Sequence, residues 1–245
     1  MKQLLILLGC SLVLQIGYCQ VNNGEILYNL DMDNFYKRLV DQNKANPNKS
    51  IGFYDLAAKG MSSISMKLTF NKDIAIFNEI KTISLDGEEM AYGAASILAN
   101  NGTYYTKLDS CYQLLERSVE NRTLFTEIEK NDVVWNLTNE SKFIGKFKVY
   151  KAYHIVSAPV GDIEVIAWYC PEIPLKLGPR DYVCQLPGLV LEFHGPIISY
   201  TAQKIKLNQT KEMELIWPNP KNIMSTEEYK KSGKDYLSKL PSRNN

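Results

Sequence analysis

The feature that most constrains this chain is a period of two. GEILYNL (24–30) sets Ile26, Tyr28 and Leu30 to one side, SMKLTF (65–70) does the same with Met66, Leu68 and Phe70, and DVVWNL (132–137) with Val133, Trp135 and Leu137. FKVYKAYHI, DIEVIAWYC, LPGLVLEF, IISYTAQKIKL and KEMELIW continue the alternation as far as residue 217. Successive side chains of an extended strand point to opposite faces, so this pattern places one face on a core and one in water. Asn-Gly, Asp-Gly, His-Gly and Asn-Pro breaks separate the runs, and LDGEE (85–89) and NNGTYY (100–105) read as turns. Half-buried strands in consecutive hairpins make antiparallel sheets. The expected fold is mainly β: a single antiparallel, strongly curved sheet or open barrel over residues 20–220.

Helical signals are few. NFYKRLVDQ (34–42), capped by Asp33 or Asn34, and IGFYDLAAKG (51–60), ending at Gly60, predict one or two helices covering the sheet. In the tail, Ser225 followed by Glu228 is a capping box that predicts a C-terminal helix. Residues 221–245 hold six Lys/Arg against three Asp/Glu. A basic run of this kind is ordinarily a solvated helix face, and its functional alternative is peripheral contact with a membrane or a partner.

The first 19 residues differ from the rest. MKQLLILLGCSLVLQIGYC has one Lys, an apolar run from Leu4 to Ile16, and small residues Gly17 and Cys19 at the −3 and −1 positions. That order predicts a secretory signal peptide over 1–19, cleaved before Gln20. The run is too short for a stop-transfer helix, and LLGC (7–10) and Tyr18-Cys19 are poor lipobox matches, so an unanchored periplasmic or secreted protein is expected. Of 28 Lys/Arg and 27 Asp/Glu, only Lys2 lies in the leader. The balanced charge of the remainder gives no footprint for nucleic acid.

Chemistry-bearing motifs are scarce. No phosphate-binding loop, dinucleotide fingerprint, Cys-x-x-Cys, His-Glu-x-x-His or nucleophile elbow occurs, and no cofactor is implied. The two histidines are His154 and His194. Glu192 and His194 share a strand face, and with His154 they are the sparse material from which a metal site would be drawn; surface-strand histidines are the commoner explanation. A hydrolase would need His154, His194, Glu172 and Glu192 to converge. Glu88-Glu89 and Glu227-Glu228 diverge as neighbours and read as turn and helix-start charges. Asn-x-Ser/Thr occurs at Asn101, Asn121, Asn136, Asn139 and Asn208, a weakly specific acceptor pattern.

Export permits disulfides. Cys111, Cys170 and Cys184 remain after the leader, so at most one bridge forms within the chain. The favoured pair is Cys170–Cys184, whose short loop would be worth roughly 3 kcal/mol in the chain-entropy account, with Cys111 a buried thiol. Three unpaired cysteines is the alternative.

WYCPEIPLKLGPRDYVCQLPGLVLEF (168–193) resembles the signature of the GLPGLI family of exported Bacteroidetes proteins. Trp168, Pro171, Glu172, Ile173, Pro174, Gly178, Pro179, Leu186, Pro187, Gly188, Leu189 and Leu191 fall on that pattern, and Trp135, Gly145, Lys151 and Ala152 match an upstream segment. Gln185 stands where the motif's first Gly would be, and Val190 replaces its Ile. The resemblance implies an exported β-rich protein and supplies no catalytic residues. Read physically, Pro187 should begin or border a strand, Gly188 permits a bulge or a close backbone approach, and Pro171, Pro174 and Pro179 stiffen an extended loop. Trp168, Glu172, Pro174, Pro179, Leu186, Pro187, Gly188 and Leu189 are the candidate binding residues. Three functions follow: a non-catalytic cell-envelope protein binding an apolar ligand or partner segment between sheet and helices, an accessory subunit at the outer membrane using the 171–183 loop or a sheet edge, and the four-residue hydrolase.

Overall fold

The computed structural model describes residues 21–45, 51–80, 87–99, 102–119, 122–129, 133–158, 161–210, 213–229 and 231. The expected signal peptide and most of the basic tail therefore lie outside the described residues. Eleven strands form one antiparallel sheet. Strand β1 (Gly24–Asp31) leads through helices α1 (Asp33–Ala45) and α2 (Gly52–Gly60) to β2 (Ser65–Phe70) and β3 (Ile74–Ile80). Helix α3 (Glu89–Ala99) precedes β4 (Thr103–Lys107), β5 (Gln113–Val119) and β6 (Arg122–Ile128). The chain then supplies β7 (Asn136–Ile144), β8 (Phe147–Ala158), β9 (Gly161–Cys170), β10 (Leu189–His194) and β11 (Ser199–Leu207). The order across the sheet is β6-β5-β4-β3-β2-β1-β11-β10-β9-β8-β7. One meander thus runs outward from β1 to the β6 edge and the other inward from the β7 edge to β11, and they join where β1 pairs with β11. The edges β6 and β7 do not meet, so the sheet is open.

It curls strongly. Strands are about 4.8 Å apart, which puts β3 and β11 some 14 Å apart along a flat sheet. Yet the rings of Phe77 on β3 and Tyr200 on β11 sit at 5.9 Å, and Tyr28 on β1 donates to the Val190 carbonyl at 2.7 Å. The face bearing these residues is therefore concave. Tyr28, Met66, Phe77, Phe193 and Tyr200 are all buried there, with rings meeting edge-on or tilted, the geometry that the aromatic quadrupole favours.

The expected helices at 34–42 and 51–60 are present as α1 and α2. Helix α3 was not anticipated. Its AYGAASILA run carries no polar stripe because Ala94, Ala95 and Ala99 are buried, and Gly60 of α2 lies so close to it that a Cβ would fall 2.2 Å from the Ala91 carbonyl oxygen. In the tail, the capping box forms as read: Glu228 accepts from the Ser225 amide at 2.8 Å and the Ser225 hydroxyl accepts from the Glu228 amide at 3.2 Å.

Two expectations are corrected. KEMELIW is not a strand: its described residues 213–217 have no regular structure and lie against the convex face, where Trp217 meets Tyr105 and Tyr112. Alternation there reflects a covering segment with one side on the sheet. The disulfide is not Cys170–Cys184 but Cys111–Cys184, spanning 73 residues of sequence. Cys170 is the buried free thiol, held in the pairing of β9 with β10. Cys184 and Cys111 have φ of 62° and 58°, left-handed conformations that no sequence pattern announced, and these bring the long loop over the β4–β5 turn.

Candidate functional site

The motif loop, residues 171–188, lies in the concavity. Tyr182 stacks on Phe193 at 4.2 Å, and Arg180 donates to the Tyr104 hydroxyl at 3.2 Å. Gln113 donates to the Arg180 carbonyl at 2.9 Å, and Trp135 to the Gln185 side-chain oxygen at 2.8 Å. Backbone bonds from Leu189 to Ile173 and from Val190 to Leu177 tie the loop to β10. The disulfide fastens its far end. The expected extended path is not what forms at two of the three prolines. Pro171 lies in the turn closed by the Ile173 N–H on the Cys170 carbonyl, and Pro179 opens the turn closed by the Tyr182 N–H on its own carbonyl. Ile173, Leu177, Val183 and Leu186 are buried.

The candidate binding residues divide within this loop. Leu186, Gly188 and Leu189 are buried, as is Pro179, whereas Glu172, Pro174 and Pro187 are exposed. A Cβ on Gly188 would sit 2.2 Å from the Cys170 carbonyl oxygen, so glycine is required for close backbone approach. The register also shifts between Val190 and Glu192, the bulge that glycine precedes. Trp168 belongs to the opposite, convex face. These eight residues therefore build a corner of the fold and do not line one common opening.

On the convex face a compact polar cluster forms. Lys142 on β7 donates to both oxygens of Glu192 at 2.7 and 2.6 Å and lies 4.4 Å above the Trp168 ring. His194 Nε2 is 2.5 Å from Glu192 Oε1, and His194 Nδ1 is 3.1 Å from the Ser199 hydroxyl. A carboxylate only accepts, so Nε2 carries the proton, and in the neutral ring Nδ1 accepts from Ser199. Burial by itself would raise the Glu192 carboxyl, but the hydrogen bonds and charges of His194 and Lys142 bring it below its usual value. Lys142 and Ser199 were not singled out by sequence; Lys142 is 50 residues from Glu192 and only sheet topology joins them.

His154 occupies the other face. Its ring meets Trp135 edge-on at 4.6 Å, and its Nε2 has no hydrogen-bond partner among the described residues. Burial is the main influence and depresses its pKa, favouring neutral imidazole; a backbone hydrogen bond at Ile155 partly offsets this. The sheet itself separates His154 from His194, and Glu172 lies on the exposed loop. The four residues required for a hydrolase are not brought together. The Ser199 hydroxyl is buried on a central strand, so the Ser199–His194–Glu192 chain presents no accessible nucleophile. Among the described residues no group of three or more His, Cys, Asp or Glu is placed to hold a metal.

An apolar groove of about 240 Å³ opens between α1 and the sheet. Phe35 and Leu39 form one wall, Ala158 and Ile163 the other, and Pro196 and Ile197 from the β10–β11 turn close one end. Arg38 fixes that turn by donating to the Pro196 carbonyl at 2.6 Å.

A family model described as "Protein of unknown function (Porph_ging)" matches residues 157–192. The matched stretch runs from the end of β8 through β9 and the motif loop into β10, which is the corner just described. Two solved structures of PNGF-II, in C2 and P21 space groups, are similar in fold. They are 16% and 17% identical, each with a TM-score of 0.52, over 89% and 86% of this chain. In both cases the chain covers 33% of the larger protein, so it spans about a third of the length of those structures. No curated protein matches the chain.

Proposed function

We propose that this chain is an exported cell-envelope protein of the GLPGLI kind that binds, without catalysis, an apolar ligand or an apolar segment of an envelope partner in the groove between α1 and the sheet. The groove carries the reading: it is the apolar opening between sheet and helix, while the concave interior is filled by aromatic rings and the motif loop. Its size suits one or two apolar side chains or a short hydrocarbon chain. The leader-like residues 1–19 support export, and a disulfide supports an oxidising compartment. The match at 157–192 falls on the segment that carries the GLPGLI-type motif.

The test is native mass spectrometry of protein purified gently from its own envelope, beside the Leu39→Glu and Ile163→Glu variants. Extra mass that leaves on denaturation, present in the parent and absent from both variants, is expected. Bare polypeptide mass throughout overturns the reading. An accessory role at the outer membrane is the second reading, and the open sheet edge at β7 favours it.

A further inference from the structure

The two edges of the sheet are treated differently. Strand β6 is covered by the chain's own later residues. Met224 donates to the Phe125 carbonyl at 2.9 Å, Glu127 donates to the Met224 carbonyl at 3.0 Å, and the Thr226 hydroxyl donates to the Glu127 carbonyl at 2.7 Å. Strand β7 has no such cover among the described residues: its only strand partner is β8. An uncovered edge is a template for another strand.

The local geometry of β7 specifies which strand. Ile144 pairs with Phe147 around the two-residue turn Gly145-Lys146, with Gly145 at φ 56°. In such a hairpin the closing pair exchanges hydrogen bonds, and so does every second pair beyond it. Lys142 and Ile144 therefore turn their backbone groups toward β8, whereas Ser141 and Phe143 turn theirs outward. Glu140 and Lys142 flank Ser141 on the convex face, Glu140 lying 3.6 Å from Lys151 at the end of the bulge between Leu137 and Ser141, where its N–H bonds to the Thr138 hydroxyl. Phe143, on the other side, is 69% exposed, an unusual state for a strand phenylalanine.

We propose that the β7 edge binds a second copy of itself, antiparallel and two-fold symmetric about Ser141. Ser141 then exchanges both backbone hydrogen bonds with the second copy's Ser141. Glu140 stands directly opposite the second copy's Lys142, and the reciprocal pair forms by symmetry. Within one chain, Lys142 already holds Glu192, and Lys151 lies 3.6 Å from both Glu140 and Glu164. Pairing at this register joins the two rows with signs alternating across the seam: Glu192, Lys142, then the second copy's Glu140, Lys151 and Glu164. A slip of two residues, the smallest that keeps the faces matched, sets Glu140 opposite the second copy's Glu140 or Lys142 opposite its counterpart, which like-charge repulsion opposes. The occupant is thus chosen by charge and by backbone direction, and it leaves the α1 groove untouched.

One strand pair is a small interface, so the dimer should be weak and concentration-dependent. Sedimentation equilibrium of the full mature chain, over two decades of concentration up to about 0.5 mM, reads it directly. The expected result is a monomer–dimer equilibrium whose Kd rises several-fold on adding about 0.5 M salt. Ser141→Pro removes the outward N–H from an edge position that tolerates proline and should leave only monomer, with the thermal transition retained. Glu140→Lys sets like charges across the seam and should raise Kd at least tenfold; this variant keeps the test decisive if the proline variant fails to fold. A monomer throughout the range overturns the proposal, as does a dimer indifferent to both substitutions.

Discussion

The two faces of the sheet place similar residues in opposite circumstances, and the two histidines show it best. On the concave face, His154 is wedged beside Trp135, its Nε2 without a partner among the described residues, in a region held by packing. On the convex face, His194 has both ring nitrogens engaged, in a cluster held by Lys142, Glu192 and Ser199. The lesson is that burial alone does not make a site. The concave face is closed by aromatic rings, a stiffened loop and a disulfide, so its histidine is part of the core. The convex cluster is satisfied internally, so its groups are committed to one another.

Removing a ring from the concave face should produce the largest effect. Phe193→Ala takes away the contact with both Tyr182 and Tyr200 and is expected to cost about 3–5 kcal/mol in urea unfolding. Thr201→Ala, on the convex side of the neighbouring strand, should cost under about 1 kcal/mol. Equal losses would mean that the faces do not differ as described.

Opening the clasp should come next. Cys111→Ser with Cys184→Ser is expected to cost about 2–4 kcal/mol, because the bridge closes a long stretch of chain. Cys170→Ala should leave the bridge intact, and a free-thiol titration of a denatured chain of residues 20–245 should fall from one group to none.

The smallest effect separates the faces by pH. His154 has its folded pKa depressed below 6.5, so the unfolded chain takes up a proton that the folded chain refuses. Stability that it contributes is present above 6.5 and is lost as pH falls below that value. Glu192 also has its folded pKa depressed, below 4.5, so its contribution is present above 4.5 and is lost at lower pH. His154→Phe should flatten the upper part of the acid limb in a plot of stability against pH and leave the lower part. Glu192→Gln should do the reverse. A His154→Phe profile that superimposes on the parent profile would remove the distinction.

The sequence by itself determined the alternation that makes strands, the antiparallel class, helices α1 and α2, and the capping box at Ser225. These depend on neighbours a few residues apart, and local sterics and periodicity express them directly. It also marked residues 168–193 as a constrained corner, because proline and glycine restrict or free the backbone whatever surrounds them. Helix α3 was hidden because an alanine-rich helix buried against α2 has no polar stripe to show its period. The disulfide was misread because loop length favoured a near partner, whereas the left-handed turns at Cys111 and Cys184 are set by how the loop crosses the sheet. Tertiary structure alone decided that His154 and His194 lie on opposite faces, that Lys142 reaches Glu192 across 50 residues, and that among the described residues β6 is covered while β7 is bare. Each depends on strand order, and strand order is fixed by the pairing of distant segments, whose energies no local stretch of sequence contains.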